Sequence, residues 1–393
     1  MQYSRVFDIQ ERVLMGPGPS NVNPRVLQAM GVPTIGHLDP EFLKIMDEVQ
    51  DLLRWLFNTK NRLTMPISAT GSAGMEATFA NAFERGEKVL IGVNGVFGTR
   101  MTQVAKKFGQ IPVIMDTGWG SVFEPEKIKE ELDKYPDIKG VALVHAETST
   151  GACQPLEEVG EICRDKGVIF LVDAVTSLGG IPVKIDEWNI DVCYSGTQKC
   201  LSCPPGLSPV TFSEKALEKM NNRQTEVESW YLDLSMLQKY WTTGERVYHH
   251  TAPINMIYAI HESLLILKEE GLDAIHARHK LNSKALLAGL EAIGIKPVVE
   301  EEFRLPELNS VYIPEGADDK KVRGDLLNRF GIEIGAGLGP LAGKIWRIGI
   351  MGQSSNQNNV VYFLASLEQI LKETGILTAV GKAVAAAQEV YSE

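Results

Sequence analysis

Two short apolar runs, each leading to a residue that can do chemistry, constrain this chain most. The first covers residues 168–172, is rich in β-branched and aromatic side chains, and ends at Asp173. Such a run reads as a strand buried on both faces, as in a parallel sheet. The second, Ile190-Asp191-Val192-Cys193-Tyr194, leads into Ser195-Gly196-Thr197-Gln198-Lys199. Two strand ends therefore deliver an acid and a lysine, 26 residues apart, to one edge of a sheet. In open α/β sheets, ligands bind at that carboxyl edge.

An Asp and a Lys on such an edge suit pyridoxal phosphate chemistry. The lysine amine forms a Schiff base with the cofactor aldehyde, and the carboxylate keeps the pyridine nitrogen protonated so that the ring accepts electrons. Taken alone, the two residues also fit a plainer account. An Asp at a strand end is an ordinary turn or cap residue, and a lysine is ordinarily solvated.

Their surroundings narrow the choice. The motifs are Val172-Asp173-Ala174-Val175-Thr176-Ser177-Leu178-Gly179-Gly180 and Ser195-Gly196-Thr197-Gln198-Lys199-Cys200-Leu201-Ser202-Cys203-Pro204-Pro205-Gly206. Together they resemble the class V aminotransferases of fold type I, and more narrowly the alanine–glyoxylate and serine–glyoxylate (serine–pyruvate) aminotransferase group. The resemblance runs from about Met15 to about Gly352. It implies pyridoxal 5'-phosphate held covalently on Lys199, with Asp173 as its partner. It implies an α/β fold, the PLP-dependent transferase fold type I, with a mostly parallel central sheet in the large domain and a smaller α+β C-terminal domain. The expected division is an N-terminal arm over 1–18, a large cofactor-binding domain over 19–270 and a small domain over 271–393. The implied reaction moves an amino group from a small amino acid, alanine or serine, to glyoxylate or pyruvate.

Other residues fall into place around this pair. Ser68-Ala69-Thr70-Gly71-Ser72 follows a strand-like piece and opens a helix. Free N–H groups, small hydroxyls and the helix dipole favour a phosphate there. Thr70, Gly71 and Ser72 are thus the candidate phosphate cradle, although the same residues make an ordinary cap. Gln198, beside the lysine, is expected to join them. Residues 88–93 read as a strand, and Asn94-Gly95-Val96-Phe97-Gly98 turns into a helix. Phe97 offers a flat face to a pyridine ring; the family often carries tryptophan there. Residues 141–144 form another buried strand, leading to His145, Glu147 and Thr148. The family places at Thr148 a hydroxyl that bonds the pyridine hydroxyl oxygen. His145 and Glu147 read as network residues beneath the site, with Lys199 the better-placed base. The first 18 residues lack a periodic pattern and end in Gly16-Pro17-Gly18-Pro19, which reads as irregular backbone. In the family this stretch lines the substrate site, which makes Gly18 a candidate, and the arm lies over the partner subunit.

Residues 214–247 read as helical and polar, leading to Tyr248-His249-His250-Thr251. Neighbouring histidines point apart on a strand or helix, and no third ligand lies at metal spacing, so no metal site is expected. In the family Tyr248 and Thr251 reach the cofactor phosphate of the neighbouring subunit, which implies a homodimer with shared sites. Beyond Gly271 come long helices over 273–292, short strands near 295–299 and 310–313, and a helix from Asp319. The glycine run 335–340 lacks dinucleotide spacing and reads as a flexible loop. Arg347 sits in an apolar run, where a guanidinium is costly unless paired. A two-pronged grip on a substrate carboxylate satisfies it, and so does an ion pair with an acid of the sheet. The resemblance favours the grip.

Composition removes other classes. A net charge of -11 argues against a nucleic-acid partner. No apolar run approaches the roughly 20 residues of a membrane span. Met1 to Arg5 lack a signal-peptide core, and Tyr391-Ser392-Glu393 is not a peroxisomal tripeptide, so a cytoplasmic protein is expected. Five cysteines do not suggest a disulfide framework, and Cys200-x-x-Cys203 has no second pair to complete a zinc site, so it reads as structural. Sister enzymes remain as alternatives. A cysteine desulfurase usually has histidine before its lysine, whereas Gln198 stands here; relatives using ureidoglycine or aminoethylphosphonate remain open. A non-catalytic protein that kept the fold would be expected to lose Lys199, Asp173 or Arg347, and all three are present.

Overall fold

The computed structural model of the chain describes residues 6–242 and 246–393. Residues 1–5 of the expected arm and 243–245 of the expected helical stretch lie outside the described residues. The centre is a seven-stranded sheet built from β1 (Leu63–Ile67), β2 (Lys88–Val93), β3 (Ile111–Asp116), β4 (Ile138–Val144), β5 (Ile169–Asp173), β6 (Val192–Tyr194) and β7 (Ser208–Phe212). Their order across the sheet is β1-β7-β6-β5-β4-β2-β3. Strands β6-β5-β4-β2-β3 pair in parallel, and β7 is antiparallel to both of its neighbours. β1 therefore points the same way as β6, and six of the seven strands end at one edge. Every residue of the edge strand β1 and of the interior strand β5 is buried, as expected for strands covered on both faces.

A smaller antiparallel sheet follows, with β8 (Leu308–Tyr312), β9 (Gly335–Ala336) and β10 (Ile345–Gly349) in the order β8-β10-β9. Alternation along β10 sends Trp346 and Ile348 into the small core and Arg347 to the opposite face. The molecule thus has a large apolar core around the seven-stranded sheet and a second one beside the small sheet. No helix among the described residues is long and apolar enough to cross a membrane.

Four local expectations need correction. The segment before Gly16 is not wholly irregular. Val13–Leu14 pairs in parallel with Ile332–Glu333, and Met15 is buried in the small core of its own chain. Three consecutive apolar side chains give that stretch a reason to dock there. Residues 214–247 hold two short helices, Glu214–Asn221 and Leu234–Trp241, with irregular backbone between. The Glu84 carboxylate takes the N–H groups of Gln224 and Thr225, replacing helical acceptors. The expected strand near 295–299 is reduced to a single bridge, Pro297 to Val311, because proline has no N–H for a ladder. The glycine run 335–340 is not all loop, since its first two residues form β9 against Trp346 and Arg347.

Candidate active site

The ends of β1, β2, β4, β5 and β6 supply the site, with Arg347 from within β10. β5 brings Asp173, buried, with its carboxylate held from two sides. Val175 N–H donates to Oδ1 at 2.8 Å, and the Tyr194 hydroxyl donates to Oδ2 at 2.6 Å. β6 leads through Ser195-Gly196 to Lys199, whose Nζ donates to the Pro17 carbonyl. The lysine loop is tied to the N-terminal segment again at Ser20, whose Oγ donates to the Lys199 carbonyl at 2.6 Å. Gly18 has φ of +109°, and a side chain there would put Cβ 2.5 Å from Lys199 Nζ. Glycine is thus required by backbone conformation and by the close approach of the lysine.

β1 leads to the turn at Ser68 and the helix Gly71–Ala82. Thr70 occupies its N-cap position without a side-chain cap bond. Gly71 packs against Gly196 and the Ser195 carbonyl, which brings this helix start beside the lysine loop. Gln198 Oε1 is buried there with no protein partner. β4 leads to Glu147, fully buried. Its Oε2 accepts from Phe97 N–H at 3.0 Å, and its Oε1 from the N–H and Oγ of Ser149 at 3.0 and 2.6 Å. Glu147 therefore serves the first turn of the helix Val96–Lys107, which carries Phe97. Gly95 leaves space for it, since a Cβ there would lie 2.4 Å from Glu147 Cδ. One face of Phe97 is covered by Arg100, whose Cζ is 4.9 Å from the ring centre.

Arg347 is 7% exposed. Its Nε donates to the Ala336 carbonyl at 2.7 Å and Nη1 to the Thr148 carbonyl at 3.0 Å. Among the described residues no carboxylate lies within ion-pair distance of it, so the alternative of an ion pair with the sheet is not realised. Two backbone carbonyls orient the guanidinium and leave its positive charge unpaired.

Burial dominates the electrostatics. It pushes Asp173 up to about 6, with Glu147 adding to the rise, and lowers Lys199 to about 8, with Arg347 adding to the fall. Arg347 itself is lowered to about 10 and His145 to about 4 by burial, while Glu147 is raised. An acid, an amine and a guanidinium are thus held close together, each ready to gain from a ligand of the opposite charge.

Lys199, Asp173, Gln198, Thr70, Gly71, Ser72, Phe97, Thr148, Gly18 and Arg347 thus lie on elements that converge at one edge. Tyr248 and Thr251 differ. Their hydroxyls are 3.3 Å apart, Tyr248 is 54% exposed, and they bond to each other rather than to the lysine group. The adjacent histidines do not point apart as expected on a regular element. The segment is irregular, and their Nδ1 atoms are 2.9 Å apart, with His250 Nε2 2.8 Å from Ser68 Oγ. Cys200 and Cys203 enter separate apolar clusters, and burial raises both thiols, Cys203 to about 12. Tyr194 was not singled out from sequence. Its signal was a phenol in a buried strand, which needs a partner for its hydroxyl.

A family profile described as Aminotransferase class-V matches residues 13–346. The (S)-ureidoglycine–glyoxylate transaminase of Bacillus subtilis is 42% identical over 97% of this chain and 95% of its own length. The crystal structure of an alanine–glyoxylate aminotransferase from Nostoc sp. is 50% identical and superposes with a TM-score of 0.92, covering 94% of this chain and 98% of the other. That of the ureidoglycine–glyoxylate aminotransferase from Bacillus subtilis gives 0.96 at 43% identity, over 99% and 100% of the two chains. The sheet edge, the lysine loop and these near-full-length matches agree, and the chain belongs to the class V aminotransferases, pyridoxal-phosphate-dependent enzymes of fold type I.

Proposed function

We propose that this aminotransferase works as a homodimer, carries pyridoxal 5'-phosphate on Lys199, and passes the amino group of alanine or serine to glyoxylate or pyruvate. The observation that carries this reading is the meeting of a buried amine and a buried carboxylate, Lys199 and Asp173, beside a helix start without a side-chain cap.

The residues present fit the cofactor. The Thr70 hydroxyl is not spent on capping, and Gln198 carries an unpartnered buried amide oxygen. Each Asp173 oxygen accepts one protein hydrogen bond and keeps a lone pair for a further donor. When bound, the cofactor supplies an aldehyde that links to an amine, and a ring that takes up the electron pair left when the α-carbon loses its proton. Lys199 Nζ is the point of attachment and, once released, the base that takes the α-proton. Asp173 keeps a proton on the ring nitrogen, Phe97 packs on the ring, and the Thr148 hydroxyl holds the ring hydroxyl oxygen. Thr70, Gly71, Ser72 and Gln198 bind the phosphate, joined by Tyr248 and Thr251 of the partner subunit. Arg347 grips the carboxylate shared by the amino acid and the oxo acid. Gly18 keeps the space beside Lys199 open to substrate.

Glyoxylate stands in the names of both kinds of relative, which supports it as the acceptor here. A second reading, ureidoglycine as donor, is supported by the 42% identity with the Bacillus subtilis transaminase. A half-reaction panel separates the two. The loaded enzyme is mixed with alanine, serine or ureidoglycine, and loss of its yellow colour is followed; glyoxylate, pyruvate or 2-oxoglutarate is then added. Fast bleaching by alanine or serine and recovery with glyoxylate supports the first reading. Bleaching by ureidoglycine alone supports the second. A protein that takes up no cofactor refutes both.

A further inference from the structure

We propose that Tyr194 is a positioning residue for the cofactor-binding acid: its hydroxyl, locked inside the sheet, holds Asp173 in place and in its ionised form. The inference rests on the cofactor reading of Asp173 given above.

Asp173 and Tyr194 are register partners on the adjacent parallel strands β5 and β6. A short bond between them is thus imposed by the ladder rather than by a flexible loop. The phenol donates to Oδ2 at 2.6 Å, the length of a charge-assisted bond. Tyr194 is fully buried, and Asp173 is its sole hydrogen-bond acceptor among the described residues. A buried phenol without a partner is costly, so the pair is self-consistent: each group supplies what the other lacks. Val175 N–H fixes the second oxygen, and the two donors together set the plane and orientation of the carboxylate.

The surroundings make the hydroxyl matter. Other groups that act on the acid's charge are Glu147 after β4, which opposes it, and Lys199 in the loop after β6, which favours it. Cys193 on β6 lies close enough for Asp173 to oppose its ionisation, and Arg100 on the Phe97 helix acts on the Tyr194 phenol. The backbone N–H of His145 is bonded to the Asp173 carbonyl, while its ring lies edge-on to Trp188. Burial and Glu147 both favour the neutral acid, which could not keep a proton on a ring nitrogen. Tyr194 is the one side-chain hydrogen-bond donor to Asp173 among the described residues that works against them.

The test compares wild type, Tyr194→Phe, Asp173→Asn and the double variant, with thermal unfolding as a check of fold. The Phe variant should bind pyridoxal phosphate about ten-fold more weakly, the scale of one charge-assisted hydrogen bond. The acid limb of its pH profile in kcat/KM should move up by about one unit. In the Asp173→Asn background the same substitution should have almost no effect, because the acid it serves is gone. Cofactor affinity and pH profile unchanged in Tyr194→Phe overturn the inference. So does an equal loss in both backgrounds, which would mark the ring as packing alone. If the Phe variant does not fold, Tyr194→Met fills the space with a flexible side chain and carries the same expectations. A wild type that binds no pyridoxal phosphate overturns the cofactor reading itself, and is told apart from the other outcomes by that control.

Discussion

Lys199 shows how burial readies a single side chain for its task. An exposed lysine near pH 7 is almost wholly protonated and a poor nucleophile. Burial lowers this amine to about 8, and the Arg347 cation pushes the same way. At pH 7 about one chain in ten then carries the free amine, against fewer than about one in a thousand for an ordinary lysine. The sign follows directly: the neutral form attacks, so uptake of pyridoxal phosphate by the cofactor-free protein should rise with pH and level off just above 8. Stopped-flow absorbance across pH 6 to 10 measures this, and Arg347→Met should move the plateau upward by removing a cation. A rate still climbing at pH 10 in the wild type would contradict the assignment. At this scale the sequence was informative where a residue's type and place both signalled chemistry, as at Asp173, Lys199 and Arg347. It was silent where the partner is distant in the chain. Nothing around Glu307 announces a carboxyl buried with both oxygens unpaired and pushed up to about 8.

Elements place these side chains by borrowing caps from one another. The helix Val96–Lys107 starts at Gly95 with no side-chain cap of its own. Its first turn is held by Glu147 and Ser149, which follow a strand some fifty residues later. The arrangement links Phe97 to the loop carrying Thr148. Glu147→Ala should leave buried N–H groups without acceptors and cost about 2–4 kcal/mol in urea unfolding. Glu147→Gln keeps one acceptor oxygen and should cost about half of that. Cofactor affinity should fall in the same order; equal stability of all three proteins would remove the capping role. This link was invisible in sequence because a cap supplied from another strand has no local signature. Strands β2, β4, β5 and β6 were legible from their apolar runs, and Lys88–Val93 begins and ends as read; β3 and β7 were not singled out. The short strands Val13–Leu14 and Gly335–Ala336 were not, since two residues are too few to show a period.

At the scale of the whole molecule, the segment around Tyr248 presents exposed side chains. Val247 and Tyr248 are exposed, as are Trp230 and Tyr231, which pack against His249 and His250. An aromatic surface of this kind, next to the turn at Ser68 that leads into the proposed phosphate cradle, is suited to covering by a second copy. If Tyr248 and Thr251 serve the neighbour's cofactor, two defective chains should repair each other. Chains carrying Lys199→Ala lack the amine; chains carrying Tyr248→Ala with Thr251→Ala lack the reaching hydroxyls. Mixed, unfolded together and refolded, half the dimers should be hybrids. Each hybrid holds one site with both defects and one with neither, so activity should return to about a quarter of wild type under random pairing. The measurement is transaminase turnover before and after mixing, with sedimentation to confirm dimers. Each chain on its own should stay near zero. If mixing restores nothing while hybrids form, the sites are not shared, and Tyr248 and Thr251 act within their own subunit or at the surface alone.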